Sequence, residues 1–461
     1  MTSIADSFRN DPEVAKAKEA LLDALRRHQA KITDASGPQD DLVQSYEDTL
    51  AAFAAERGGN LYFPYFGSGI GNGPLVELAD GSVKYDFISG IGVHHFGHSH
   101  PALVEASIDA ALGDTIMQGN LQQNVESHFF ARKLIDAANV TGAGFDHCFL
   151  TSSGVMAGEN ALKIAMQKKH PASRVLAFSR CFAGRTMTFS QITDKPNFRV
   201  GLPTALQVDY VPFFNAEDPE GSIRRAVMVV KKHLTRYPNQ HAAMIMELVQ
   251  GEGGFYPAPA EFHRAIIEVL KENNVAVLFD EVQTFARTPQ LFAFQHLGLD
   301  ELADVVWIGK ASQICATLFR KDFAPKPGLL SQTFTSSSTA IAAGTVILDE
   351  LVNGDYFGDD GKVVRIHNHM AGHLAAISER HPNRMSGPFG IGAMVACTVF
   401  GGDAAKSSAF CKQLFANGVM GFVAGSNPTR MRFLLPIGAV EADHIDEAVK
   451  IIEQTLVSMD D

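Results

Sequence analysis

Cysteine is scarce in this chain and never clustered. The five residues Cys148, Cys181, Cys315, Cys397 and Cys411 contain no CxxC pair. An odd, scattered set fits reduced thiols in a cytosolic protein rather than a disulfide framework. Long apolar runs are also missing: none approaches the ~20 residues that span a bilayer. The first residues include Asp6, Asp11 and Glu13 without an apolar core, unlike a signal peptide, and are too acidic for a transit peptide. Positive charge is in deficit, 39 Lys and Arg against 51 Asp and Glu, for a net charge of -12. Proteins that track a nucleic-acid backbone need the opposite balance. The expectation is a soluble cytoplasmic protein with no nucleic-acid or membrane partner. There is no GxSxG elbow, HExxH helix, Walker loop, internal repeat or low-complexity segment.

What is present reads as a globular α/β protein. At ~100–200 residues per domain, the 461 residues suggest two or three domains, and 46% hydrophobic content supplies a large core. A charged amphipathic helix is expected over 12–33, then a loop at the glycine-rich stretch 67–74. From about 145 to 310, short apolar runs at 148–150, 175–178, 208–211, 242–246, 275–279 and 305–308 alternate with helical patterns. The run 275–279 has no polar alternation, as in a strand buried on both faces of a parallel sheet. Open sheets of this kind bind ligands beyond the carboxyl ends of their strands. Thr151–Val155, Glu247, Asp280 and Lys310 fall at such ends. Further strands are expected at 393–400 and 431–435, and Ile445, Val449, Ile452, Leu456 and Met459 form one helical stripe.

Four local patterns carry chemistry together that none carries alone. Phe279-Asp-Glu-Val-Gln-Thr284 puts an acid pair directly off a buried strand. A buried Asp facing a pyridine nitrogen would share a charge-assisted hydrogen bond and keep the ring protonated; the plain alternative is a strand-end helix cap. Trp307-Ile-Gly-Lys310 puts a lysine past an apolar strand, where desolvation lowers its pKa and frees the amine for imine formation; a surface lysine is the plain alternative. Thr151-Ser-Ser-Gly-Val-Met-Ala-Gly-Glu159 opens a helix whose free amides make an anion site, or is simply a Ser/Thr cap. Phe182-Ala-Gly-Arg-Thr186 offers an aromatic that can stack on a flat ring, or merely fill a core.

From about residue 60 onward the chain resembles class III aminotransferases of the ornithine/4-aminobutyrate/lysine 6-aminotransferase type, fold type I pyridoxal-phosphate enzymes. The resemblance rests on motifs in family order: Gly97-His-Ser-His-Pro101, the helix start at Gly154, Phe-Ala-Gly-Arg-Thr, Gln250-Gly-Glu-Gly-Gly254, Asp-Glu-Val-Gln and Gly-Lys. Ser190-Gln-Ile-Thr-Asp-Lys-Pro196 and Gly309-Lys-Ala-Ser-Gln-Ile-Cys315 look most like lysine 6-aminotransferases. It implies pyridoxal 5'-phosphate as cofactor, Lys310 as the Schiff-base lysine and Asp280 as partner of the pyridine nitrogen. It places Val282 and Phe182 on the two ring faces, Gln283 near the ring hydroxyl, and Gly154 and Val155 on the phosphate. Thr333 falls where the family has a phosphate-binding threonine from the second subunit of a homodimer. Arg185 matches a distal carboxylate anchor, Arg432 the arginine near the reacting carbon, and Glu252 the glutamate that pairs with it when no carboxylate is present. Glu247 and Ile91 complete the implied substrate pocket. The chain departs from the family at Ala183, where His or Trp is usual, and at Thr333-Phe-Thr-Ser-Ser-Ser338, which lacks the usual glycines.

The implied architecture is a small-domain segment at 1–85, a large cofactor domain with a mostly parallel sheet at 86–345 and a small α/β domain at 346–461. The implied reaction moves the terminal amino group of an ω-amino or diamino acid to 2-oxoglutarate, giving a semialdehyde and glutamate. Alternatives on the same scaffold are a transaminase using simple amines or pyruvate, and a decarboxylase, aminomutase or racemase. A non-enzymatic binding protein conflicts with intact Lys310, Asp280 and phosphate turn. His94, His95, His98 and His100 invite a metal reading, but the resemblance places them in a loop near the dimer interface, and no metal is expected.

Overall fold

A computed structural model describes residues 3–119 and 121–459. The chain forms two compact units: Met1–Gly113 with Arg365–Phe389 and Val395–Asp461, and Asp114–Val364 with Gly390–Met394. The two main divisions fall at 113/114 and 364/365. Local bonding is dense beside both. Asp86 accepts from the amides of Ile88 and Ser89 at 3.1 and 2.7 Å and meets His98 Nε2 at 2.9 Å, which keeps the following segment with the first unit. Helix Ser338–Asn353 packs on helix Val125–Ala138, and the Ser338 hydroxyl donates to the Asp114 carbonyl at 2.5 Å, which holds that helix in the second.

Seven strands build the sheet of the second unit: β1 His147–Thr151, β2 Arg174–Phe178, β3 Gln207–Val211, β4 His241–Glu247, β5 Ala276–Asp280, β6 Val305–Ile308 and β7 Cys315–Phe319. Their spatial order is β1-β7-β6-β5-β4-β2-β3. Pairing is parallel from β6 through β5, β4 and β2 to β3, whereas β7 runs against both β6 and β1. Every residue of β2, β4, β5, β6 and β7 is buried, as a sheet covered on both faces requires. The six runs expected from sequence are six of these strands. β7 was not among them, because only residues 309–314 separate it from β6. That gap suits a tight reversal, and a helical crossover needs a dozen or more residues.

In the first unit, strands Gly67–Asn72, Leu75–Leu78, Val83–Asp86 and Val419–Met420 form one four-stranded sheet. Gly67–Asn72 was expected to be a loop, and the structure corrects this: it is an edge strand paired antiparallel with Leu75–Leu78. Gly73, at φ 58, closes the hairpin. Gly71 has to lack a side chain, since a Cβ would overlap the His98 Cβ and the Leu75 carbonyl. A second four-stranded sheet takes the order Met385–Ile391, Met394–Val399, Arg430–Leu434, Phe422–Ala424, and the closing helix runs Ala442–Ser458. Among the described residues no helix is long and apolar enough to cross a membrane.

Helix Gly154–Lys168 lies close against the sheet. A Cβ on Gly158 would stand 2.5 and 2.7 Å from ring carbons of Phe189 and 3.3 Å from Trp307 Cε2. Both rings are fully buried and have nowhere to retreat. Gly158→Ala gains up to ~1 kcal/mol of helix propensity but faces an overpacking cost of ~1–3 kcal/mol. A lowered thermal midpoint is expected; a raised one would show that the helix can move off the sheet.

Candidate active site

The second unit gathers most of the expected residues at the carboxyl ends of its strands. β1 leads through Ser152 and Ser153 into helix Gly154–Lys168. Ser153 caps this helix, its hydroxyl accepting from the Met156 amide at 3.3 Å. The cap explains the serine but leaves the first-turn amides of a fifteen-residue helix facing out, which is an anion site. Three strand ends meet here. A Cβ on Gly154 would stand 2.9 Å from Val282 Cγ1, and one on Gly309 would stand 3.4 Å from both Gly154 Cα and Val282 Cγ1. The helix start, the residue after β6 and Val282, two residues past Asp280, therefore touch because two of them are glycines.

Asp280 ends β5 and is 7% exposed. Its Oδ1 accepts from the Val282 amide at 3.0 Å. Burial and then the Glu247 carboxylate push its pKa well above the ordinary range, against the pull of the Lys310 charge. A carboxyl so placed needs a buried cation to ionise. Lys310 opens a single 3-10 turn after β6 and sits at φ 56, a left-handed conformation that a lysine adopts at a cost of ~1–3 kcal/mol. It is partly buried, and its charge acts on both Asp280 and Glu247.

Glu247 ends β4, the strand beside β5. Its two oxygens accept from the amides of Phe182 and Gly251, each at 3.0 Å, so it brackets the loop that carries the expected stacking aromatic. Burial raises its carboxyl to about 7, and Glu252 adds to the rise. Gln283 is buried, and neither of its amide atoms has a hydrogen-bond partner among the described residues. A second bracket was not legible in sequence. The Thr193 hydroxyl accepts from the amides of Ala183 and Gly184 at 3.0 and 3.2 Å and donates to the Gly184 carbonyl at 2.8 Å.

Phe198 was also missed. Its ring meets Phe182 edge-on at 6.4 Å, and the Arg185 guanidinium lies 3.9 Å over it. Glu252 Oε2 stands 3.7 Å from Lys195 Nζ, a cation inside the Ser-Gln-Ile-Thr-Asp-Lys-Pro stretch to which no role had been given. Thr333 is exposed, just ahead of a ribbon in which Phe334–Ser337 pairs with Ile116–Gln118. Two expected residues belong to the first unit. Arg432 is fully buried in strand Arg430–Leu434, 5.6 Å from the Phe422 ring centroid. Ile91 is 38% exposed at φ 61, an outlier for a β-branched side chain. The histidine passage belongs there too: His98 is tied to Asp86, and burial first, then His98, lowers His94 to about 4.

These residues fit pyridoxal phosphate on structural grounds. The helix start offers amides to a phosphate, Asp280 is a buried carboxyl that the charge of a protonated pyridine would help to ionise, and Gln283, three residues on, has polar atoms unanswered among the described residues. The seven-stranded sheet, with the family match over most of the chain, identifies a fold type I pyridoxal-phosphate-dependent enzyme. The chain belongs to the class III aminotransferases, since the family described as Aminotransferase class-III matches residues 67–456. It is 30% identical over 400 residues to acetylornithine aminotransferase of Bacillus subtilis (strain 168), covering 83% of this chain and 93% of that one. It is 30% identical over 378 residues to succinylornithine transaminase of Salmonella enteritidis PT4, covering 78% and 85%. Its fold matches lysine aminotransferase from M. tuberculosis with a TM-score of 0.77 at 22% identity, over 88% of this chain and 99% of that one. It is a pyridoxal-phosphate-dependent transaminase whose substrates are an amino donor and an oxo-acid acceptor.

Glu247 ties the site to pH. Its carboxyl, at about 7 folded against an ordinary 4.5, holds its proton more tightly in the folded chain. The stability this contributes is full below about 4.5 and is lost as pH rises towards 7. Thermal midpoints of cofactor-free protein should therefore fall more steeply across that window than those of Glu247→Gln. Equal slopes in the two proteins would contradict a buried, protonated Glu247.

Proposed function

We propose that this transaminase moves the terminal amino group of an ω-amino or diamino acid of the ornithine, lysine or 4-aminobutyrate type to 2-oxoglutarate. The products are a semialdehyde and glutamate. The observation that carries this reading is the Arg185–Phe198–Phe182 arrangement. A guanidinium lying over one ring, which meets the expected cofactor-stacking ring edge-on, offers a carboxylate anchor at a distance from the reacting amine. Relatives named for acetylornithine and succinylornithine, whose reacting amine is also terminal, support the same donor class. Ala183, where the family usually carries His or Trp, leaves room for a bulkier donor, and this keeps simple amines and pyruvate in the substrate panel.

When bound, pyridoxal phosphate supplies an electron-withdrawing ring that takes up the electron pair of the donor's broken C–H bond. Asp280 keeps the ring nitrogen protonated, and in return gains the cation its burial demands. Lys310 supplies the amine that holds the cofactor's aldehyde, and as a base it moves the proton at the amino-bearing carbon. Val282 and Phe182 cover the ring faces, Gln283 bonds the ring hydroxyl, and the amides of Gly154 and Val155 hold the phosphate. Thr333 reaches a phosphate in a second copy of the chain, making a cytoplasmic homodimer with its sites at the interface. Arg185 holds the far carboxylate and Arg432 the one beside the reacting carbon. Glu252 pairs with Arg432 when the donor has no carboxylate there, which masks a costly buried charge. Ile91 and Glu247 complete the pocket, Glu247 through the Phe182 loop.

A panel of ornithine, acetylornithine, lysine, 4-aminobutyrate and simple amines, each with 2-oxoglutarate and with pyruvate, tests the substrate class. Turnover only with simple amines and pyruvate would overturn it. Lys310→Ala should abolish turnover without unfolding the protein, and Asp280→Asn should lose ~10³-fold or more, ~4 kcal/mol of barrier, yet still bind cofactor. Near-normal rates in either would remove the assigned role. Arg432→Ala should slow the 2-oxoglutarate half-reaction far more than the ω-amine half-reaction in stopped flow. Equal slowing would make Arg432 and Glu252 a structural pair.

A further inference from the structure

The first unit carries a cluster that amino transfer does not use. His369 and His373 lie one turn apart on helix Lys362–Arg380, and Asp446 lies on helix Ala442–Ser458. Both imidazoles aim Nε2 at the same carboxylate oxygen, His369 at 2.7 Å and His373 at 2.8 Å from Asp446 Oδ1. The three atoms lie within 4.8 Å of one another. Residues four apart on a helix project from one face, so the spacing makes the pair converge, and the apolar stripe at Ile366, Met370, Leu374 and Ile377 fixes which face that is.

The geometry points to a binding site for a borderline divalent transition-metal ion of the zinc, cobalt or nickel kind, held by His369, His373 and Asp446. Imidazole with one carboxylate is the donor set such ions prefer, whereas magnesium and calcium seek oxygen alone. Bonds of ~2.0–2.1 Å in a tetrahedron separate neighbouring ligand atoms by about 3.3 Å. The two His–Asp separations need a small opening to reach that, and the His–His separation lies within 4.8 Å, adjustments open to three side chains that are 34%, 37% and 41% exposed. Water would take the remaining position. Access and charge favour a cation. A surface cavity of ≈ 580 Å³ reaches His373 and Asp446, and its rim carries Asp443. The nearby cations are already engaged, Arg380 with Glu453 at 2.8 Å and Lys450 with Glu447 at 2.6 Å, so Asp443 and Asp446 leave the rim negative. The bound ion ties the closing helix to helix Lys362–Arg380, one contact before the Arg380 and His381 pairs with Glu453. It acts on the fold, away from the amino-transfer chemistry.

Calorimetric titration of chelator-treated holoenzyme with zinc chloride, and separately with magnesium chloride, tests this. One zinc site per chain is expected, with no magnesium binding, and His369→Gln with His373→Gln should weaken zinc at least tenfold while leaving transaminase activity unchanged. Cobalt should give visible d–d bands without thiolate charge transfer, absent from the double variant. With zinc at ~100 times its Kd, the folded-to-unfolded ratio should rise ~100-fold in the unaltered protein only. Should the double variant fail to fold, Asp446→Asn carries the same comparison. Unchanged zinc affinity in the variants, or no zinc binding by the unaltered protein at millimolar concentration, overturns the site.

Discussion

Asp280 stands at the end of a strand buried on both faces, with one backbone amide as its recorded hydrogen-bond donor and a second carboxylate nearby. No protein interior tolerates an ionised carboxylate without compensating charge, so in the protein alone its proton is held far more tightly than usual. On the proposed reading the ring nitrogen of pyridoxal phosphate would supply that charge, so that cofactor binding and ionisation of Asp280 would be one event.

The rest of the second unit serves to bring other parts within reach of that carboxylate. Parallel pairing of β4, β5 and β6 puts Glu247, Asp280 and Lys310 at neighbouring strand ends, because Asp280 pairs in register with both Glu247 and Trp307. Glycines at 154 and 309 let a helix start and a strand end meet over Val282 at van der Waals distance. Lys310 pays for its place with a left-handed backbone, a strain the surrounding buried sheet can impose. Glu247 and Thr193 fix the Phe182 loop through backbone amides, which would hold the proposed stacking ring in place.

One acidic group and two cations stand beside the Phe182 loop: Glu252 lies beside Lys195, and Arg185 lies over Phe198, so on the proposed reading a substrate carboxylate would enter a region where opposite charges are already distributed. Specificity on such a surface comes from which carboxylate displaces which internal partner rather than from an empty complementary hole.

Strand positions and the cofactor class were legible in sequence, and the residues proposed for the chemistry were nominated there, because each leaves a local mark. Continuous apolar runs mark buried strands, and Asp280, Lys310 and the Gly154 turn lie within a few residues of strand ends that periodicity reveals. The glycine-rich edge strand Gly67–Asn72 was not legible, since its strand character comes from pairing with Leu75–Leu78 and not from its own composition. β7 was missed because the reversal that makes it antiparallel is set by a positive-φ turn at Lys310 and Gln313. Phe198, Thr193 and Lys195 acquire meaning only as neighbours of Phe182, Ala183 and Glu252, ten or more residues away along the chain. The sequence by itself determined the family and the cofactor, and nominated the acid and the amine proposed to handle it, because those depend on residue type at local spacing. Only the tertiary structure decided the brackets, the strain and the convergence of His369 and His373 on Asp446, because each is a through-space coincidence of segments with no local signature.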